Sequence, residues 1–198
     1  MRKKLMIACA LKKEARLLRE VVGFKHHVEV TGLGPDRTLK NLESYFEHDL
    51  PSALIFTGVA GQLNPDFELG QIVYPEAWCL ESGTRFEVDP ELRRLLVERG
   101  VKVRETGITV RKPVVRQKNR IELFRKTGAS ICDMESAAAM MIAGSYQVPC
   151  IAPKIISDTG KSGMLDFYRH FDKNMKNMAE DASRLASIMA DLLERDLL

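Results

Sequence analysis

The sequence predicts an α/β fold, a single domain over residues 1–198 with three α/β/α layers about a mixed, largely parallel central sheet. Three observations lead there. Residues 130–160 read as a β-favouring run, a helix opened by Asp133-Met134-Glu135-Ser136, a buried strand over 150–156, and then Ser157-Asp158-Thr159-Gly160. The 150–156 run is apolar apart from Lys154, as expected of a strand covered on both faces. Strand and helix patterns alternate along the rest of the chain, the mark of helices packed on a parallel sheet. At 198 residues, 45% hydrophobic and 29% charged, the chain has ordinary globular composition and can bury a proper core. Glu135 and Asp158 then fall at the carboxyl ends of two parallel strands, where open α/β sheets bind ligands.

In order, residues 4–10 read as a buried first strand. A helix over 14–22 follows, with Ala15, Leu18 and Val22 on one face. A short strand over 27–31 ends in Thr31-Gly32-Leu33-Gly34, and Pro35 opens a second helix to about residue 46. Strand, glycine turn and helix can aim backbone N–H groups at an oxyanion or a water, and equally form an ordinary connection. A third strand over 53–57 runs into Gly58-Val59-Ala60-Gly61, a second stretch presenting only backbone and small side chains. Residues 71–78 are extended. Asp89-Pro90-Glu91 starts a helix, with Asp as N-cap and Pro in the first position, and Gly100 ends it. Residues 101–115 read as extended, and 117–127 as a helix capped by Gly128. From Asn174, Met175, Met178, Ala179, Ala182, Leu185, Ala186, Met189, Leu192 and Leu193 form a stripe at helical spacing for docking on the sheet, favoured over a Met-rich partner groove.

Composition excludes several classes of function. A net charge of +3, from 30 basic and 27 acidic residues, is too small and dispersed for nucleic-acid binding. No stretch is long enough for a membrane span. The run Leu5-Met6-Ile7-Ala8-Cys9 after Arg2-Lys3-Lys4 imitates a signal peptide, yet it is too short, and charged residues follow directly. Cys9, Cys79, Cys132 and Cys150 lack metal or disulfide spacing and read as free thiols of a cytoplasmic protein. His26, His27, His48 and His170 show no ligand spacing, so no metal is expected.

Five motifs in order resemble the superfamily of purine nucleoside phosphorylases and methylthioadenosine/S-adenosylhomocysteine nucleosidases. They are Ala10-Leu11-Lys12-Lys13-Glu14, Thr31-Gly32-Leu33-Gly34, Thr57-Gly58-Val59-Ala60-Gly61, Asp133-Met134-Glu135-Ser136-Ala137 and Ile156-Ser157-Asp158. Within that superfamily, Lys126-Thr127-Gly128-Ala129 ahead of Asp133 is most similar to the hopanoid-associated branch, which implies an adenosylhopane-like substrate. Two departures stand out. The span between Glu14 and Thr31 holds only one helix and one short strand, implying a smaller sheet and a more open pocket. Lys154 stands where the nucleosidases usually carry Arg, and the two are not interchangeable at forked contacts.

The resemblance implies a nucleoside phosphorylase-like fold, cleavage of a purine N-riboside without a cofactor, and a homodimer. Such a reaction develops an oxocarbenium-like ribose and negative charge on the base. Asp158 would share a proton with purine N7; taken alone, it reads as helix capping. Glu135 would accept bonds from both ribose hydroxyls, or merely complement a helix N-terminus. Met134 would pack beneath the sugar or fill the core. Ser157 would orient Asp158, and Phe167 or Tyr168 would cover the 5′ group or edge the core. Thr31, Gly32 and Gly34, with Gly58, Ala60 and Gly61, would line the substrate through the two glycine stretches. Asp133 reads as helix-start chemistry. Glu14 decides between two reactions: it would take a proton from water, favouring hydrolysis, and its charge would repel phosphate by roughly 4 kcal/mol at about 4 Å and an effective dielectric of 20. Otherwise it is a solvated acid in a first helical turn. Phosphorolysis, the alternative, needs converging arginines; Arg37, Arg85, Arg111 and Arg116 lie in no recognisable clamp. A module that binds nucleosides without turnover is the third reading.

Overall fold

The computed structural model describes residues 3–23, 26–160 and 164–198, with side chains from residue 169 onward in the last segment. The first elements are β1 (Leu5–Cys9), α1 (Lys12–Val22), β2 (His27–Val30), α2 (Pro35–His48), β3 (Ala53–Phe56) and β4 (Gly58–Gln62). There follow β5 (Ile72–Val73), β6 (Ala77–Leu80), β7 (Arg85–Glu87), α3 (Pro90–Glu98), β8 (Thr106–Thr109) and α4 (Gln117–Thr127). The chain closes with β9 (Ile131–Asp133), α5 (Ser136–Ser145), β10 (Cys150–Ile151), β11 (Lys154–Asp158) and α6 (Met164–Glu194).

Among the described residues the strands pair in two groups. The first, in order β10-β3-β1-β2, is parallel throughout; the second, β5-β11-β4-β9-β8-β6-β7, is mixed. The α/β class and the mixed sheet are as the sequence predicts. Every residue of β1 and β3 is buried, as covering on both faces requires. Helices α1 and α6 pack on each other and α6 packs on β11; α2 packs on α5, which lies against β6, β7 and β8. Ala137, Ala138, Ala139 and Ala143 are buried, so small side chains let α5 approach the strands closely. The Met- and Leu-rich stripe of α6 is core: Met175, Met178, Ala179, Ala182, Leu185, Ala186 and Met189 have no solvent exposure. That packing excludes the partner-groove alternative. No described helix is long and apolar enough to cross a membrane.

Five expectations need correction. The extended run over 150–156 is two strands, because Ala152-Pro153 interrupts the ladder and hands the chain from β10 beside β3 to β11 beside β4. Residues 58–61, expected only as a glycine stretch following the third strand, are themselves most of β4. Beyond the 103–74 bridge, the 101–115 stretch pairs only at β8, and 71–78 divides into β5 and the start of β6. Finally, the strands ending at Asp133 and Asp158 are not parallel: β11 runs parallel to β4, and β9 runs antiparallel to it.

The predicted helix signals hold. Asp89 accepts from the N–H groups of Glu91 and Leu92 at the start of α3, and Gly128 caps α4 in the left-handed region at φ 69°. Among the described residues between Glu14 and Thr31 the chain forms only α1 and β2, the short connection expected.

Candidate active site

Glu14 lies in the first turn of α1, just beyond β1, yet it is only 2% exposed. The reading of a solvated acid is therefore wrong. Its Oε2 accepts from the Leu11 N–H at 2.9 Å. Burial raises its pKa above the ordinary value, while Lys154 and the backbone N–H groups of Leu11, Val59 and Ala10 pull the other way. Space for the carboxylate comes from Gly58: a Cβ there would stand 2.9 Å from Glu14 Oε1, and its φ of 147° suits only glycine. The second glycine stretch thus makes room for the chain's own acid.

Glu135 is buried at the start of α5, and its Oε1 accepts from the Gly34 N–H at 2.7 Å. The first glycine turn does aim a backbone N–H at a carboxylate, but that carboxylate belongs to the protein. Burial, then the charge of Asp133, raise the Glu135 pKa to about 7. Asp133 performs the expected helix-start role: its carboxylate accepts from the N–H groups of Glu135 and Ser136 and from Thr109 Oγ1 at 2.7 Å. It also pairs with Lys154, whose Nζ lies 3.3 Å from Asp133 Oδ2 and 4.3 Å from the centre of the Phe56 ring. Lys154 is 2% exposed, so Glu14, Asp133 and Glu135 form a buried acidic group acted on by one buried lysine.

Asp158 closes β11. The β11–β4 register slips between Ile156 and Asp158, so a bulge at Ser157 re-aims the strand end. Ser157 Oγ donates to Asp158 Oδ1 at 3.0 Å, the orienting geometry expected of it, and also contacts the Ala60 carbonyl at 3.3 Å. The other carboxylate oxygen contacts Arg120, a residue sequence reasoning missed.

Other expected residues divide. The Thr31 hydroxyl turns into the core, against the Cys9 carbonyl at 3.3 Å and Thr38 Oγ1 at 3.2 Å, rather than toward a ligand. Gly32 and Gly34 hold the turn at φ 84° and 89°. Met134 packs on the small cluster of Leu63, Ile108, Val110, Ala129 and Cys132. Ala60 is buried within β4, and Gly61 leaves space for Arg120 and Cys132. Phe167 and Tyr168 lie outside the described side chains. Arg85 pairs with Glu87 and Arg111 with Asp36, while Arg37 and Arg116 are exposed, so these four make no clamp. Thr57 Oγ1 and Ser136 Oγ are buried without a partner among the described residues, immediately beside Gly58 and Glu135. Buried hydroxyls of that kind are available to a ligand or a water. A separate recess at the amino end of β1 is lined by Lys4, Arg19 and His27; Lys4 there already pairs with Asp49, and Arg19 donates to the Val28 carbonyl.

Residues 23–194 match the family model described as the phosphorylase superfamily. A 5′-methylthioadenosine/S-adenosylhomocysteine nucleosidase of Buchnera aphidicola is 26% identical over 161 residues, 70% of this chain and 67% of that protein. An aminodeoxyfutalosine nucleosidase of Campylobacter jejuni is 24% identical over 140 residues, 58% of this chain and 60% of that protein. Among solved structures, a Helicobacter pylori 5′-methylthioadenosine/S-adenosylhomocysteine nucleosidase superimposes with TM-score 0.84 at 18% identity, covering 97% of this chain and 100% of the other. A futalosine hydrolase of the same species gives TM-score 0.83 at 17% identity, over 96% and 100%. These last two likenesses are likenesses of fold.

Proposed function

We infer the activity from one premise: the chain belongs to the phosphorylase superfamily. Within it, we propose a purine nucleosidase that hydrolyses the N-ribosidic bond of a 5′-substituted adenosine, as the names of its relatives suggest. The observation that carries this reading is the buried carboxylate of Glu14 beside Gly58, in a group of three acids with one lysine. A second anion, phosphate, would enter that field at a cost of roughly 4 kcal/mol per close charge pair at an effective dielectric of 20. A water molecule pays no such cost.

Each residue then has a task. Glu14 accepts a proton from water, and its raised pKa makes it a stronger base than an exposed carboxylate. Glu135, set by the Gly34 N–H, anchors the ribose hydroxyls. Asp158 shares a proton with purine N7 as negative charge builds on the leaving base, and Ser157 holds its carboxylate. The single site lies in one domain over residues 1–198, working without a cofactor, in the cytoplasm and as a homodimer. The short α1–β2 connection leaves the 5′ side open to bulky substituents, including adenosylhopane-like ones.

The test is release of free base from methylthioadenosine, S-adenosylhomocysteine, aminodeoxyfutalosine and a lipid-substituted adenosine, with and without phosphate. Free adenine without phosphate, lost in Asp158→Asn by about 10²–10⁴-fold, is expected. Release only with phosphate, giving ribose 1-phosphate, would replace the nucleosidase with a phosphorylase and remove Glu14 from its role. Tight adenosine binding without turnover of any substrate would leave a binding module. Turnover confined to small 5′ substituents would remove the open 5′ side.

A further inference from the structure

Arg120 is the buried residue of α4, at 5% exposed, although neighbouring Ile121, Leu123 and Phe124 supply the apolar side chains of that helix. Its guanidinium is held from several directions. Nε donates to the Val114 carbonyl at 2.7 Å, and Nη1 to the Gln62 carbonyl at 3.1 Å and the Asp158 carbonyl at 3.2 Å. Nη2 pairs with Asp158 Oδ2. Gly61 gives the fork its space, since a Cβ there would lie 3.2 Å from Nη1 and 3.4 Å from Nη2.

Burying a guanidinium for one carboxylate is a poor way to gain stability, because desolvation offsets the attraction. A rigid planar fork is, however, well suited to fixing several acceptors at once. The three carbonyls come from three separate segments: the stretch before α4, the end of β4 and the end of β11. Arg120 therefore fastens the strand end that carries Asp158 to the 110–115 stretch. With Oδ2 held by Arg120 and Oδ1 by Ser157, the carboxylate plane of Asp158 has a set orientation.

We propose that Arg120 is a positioning residue for base departure: it orients Asp158 toward the purine and couples that orientation to the 110–115 stretch. This rests on the nucleosidase reading above. The guanidinium has carbonyl partners of its own, so its place does not depend on Asp158, and each Asp158 oxygen keeps a second lone pair for the purine.

The test uses the full chain, wild type, Arg120→Met, Arg120→Lys, Asp158→Asn and the Arg120→Met/Asp158→Asn double variant. Two substrates are compared: methylthioadenosine, whose base leaves with a proton, and 4-nitrophenyl β-D-ribofuranoside, whose phenolate leaves without one. The readout is the ratio of their turnover numbers. Asp158→Asn should lower that ratio by about 10²–10⁴-fold. Arg120→Met should lower it by about 10–100-fold, the scale of a misplaced catalytic group. Arg120→Lys should fall between, and it decides the matter if the Met variant does not fold. In the Asp158→Asn background, Arg120→Met should change methylthioadenosine turnover by less than about threefold, because the two act through one step; this comparison stands alone if the aryl riboside is refused. Equal losses on both substrates, or full additivity in the double variant, would make Arg120 merely structural and overturn the proposal. A different pattern marks failure of the underlying reading: if the wild type releases no adenine, or Asp158→Asn keeps the wild-type ratio, the acid assignment falls and Arg120's role falls with it.

Discussion

Replacing Gly58 with alanine tests whether the glycine exists to house Glu14. The added Cβ would stand 2.9 Å from Glu14 Oε1 and 3.4 Å from both its Cδ and Oε2, on a backbone at φ 147°. Two costs add. A non-glycine residue at that φ costs about 1–3 kcal/mol. Pushing the carboxylate aside also weakens its bond from the Leu11 N–H at 2.9 Å, a contact of the charge-assisted kind worth about 1.5–3 kcal/mol. The sum is about 2.5–6 kcal/mol. At about 2–4 °C per kcal/mol for a chain of this size, the melting temperature should fall by roughly 5–24 °C. Turnover should fall with it, by about 10²-fold if the base moves by 1 Å. Calorimetry of Gly58→Ala, alone and in a Glu14→Ala background, separates the two costs: without the carboxylate only the backbone strain remains, so the penalty should shrink by at least about 1 kcal/mol. A melting shift below about 2 °C, or an undiminished penalty without Glu14, would refute the reasoning.

Two further predictions concern the buried acids. Glu135 titrates at about 7 in the folded chain against an ordinary 4.5, so the native state holds a proton that the unfolded state has released between those values. Stability from this group is complete below about pH 4.5 and declines as pH rises to 7, by on the order of 3 kcal/mol. Urea midpoints at pH 5 and pH 8 should show that decline in the wild type and a smaller one in Glu135→Gln; an unchanged slope in the variant would contradict it. Lys154→Met should destabilise by about 3–5 kcal/mol, because it leaves Asp133 as an unpaired buried charge. Combining it with Asp133→Asn should recover at least about 1 kcal/mol, and equilibrium unfolding without such recovery would show that the pair is not coupled.

Much of this molecule is legible locally. The Asp89-Pro90 start of α3, Gly128 after α4 and the stripe of α6 follow from capping and periodicity, which depend on a few neighbouring residues. The acids Glu14, Glu135 and Asp158 are picked out by five motifs in order along the chain; taken singly, each has an ordinary reading as helix-start or capping chemistry. What escapes is set by distant partners. β4 is not foreseen as a strand because Gly58-Val59-Ala60-Gly61 has low strand propensity; pairing with β11 and β9 overrides it. The direction of β9 relative to β11 depends on β4 lying between them, which strand patterns do not encode. Arg120 gives no local signal, since its acceptors come from residues 62, 114 and 158. Pro153, by contrast, is a visible warning that the run over 150–156 could not be one uninterrupted strand.

The chain passes between its two groups of strands three times, and two of these crossings are direct links that run side by side. Thr57 links β3 to β4, Ala152-Pro153 links β10 to β11, β10 pairs with β3 and β11 pairs with β4. These links therefore act as phase markers. One residue added to either would rotate the following strand by half a pleat and exchange its two faces. Lys154 would turn away from Asp133, or Gly58 would no longer stand over Glu14. Insertion scanning should find these two links intolerant of a single extra residue, while the turn at 81–84 between β6 and β7 accepts one. In this fold, length at the crossings carries as much information as residue identity.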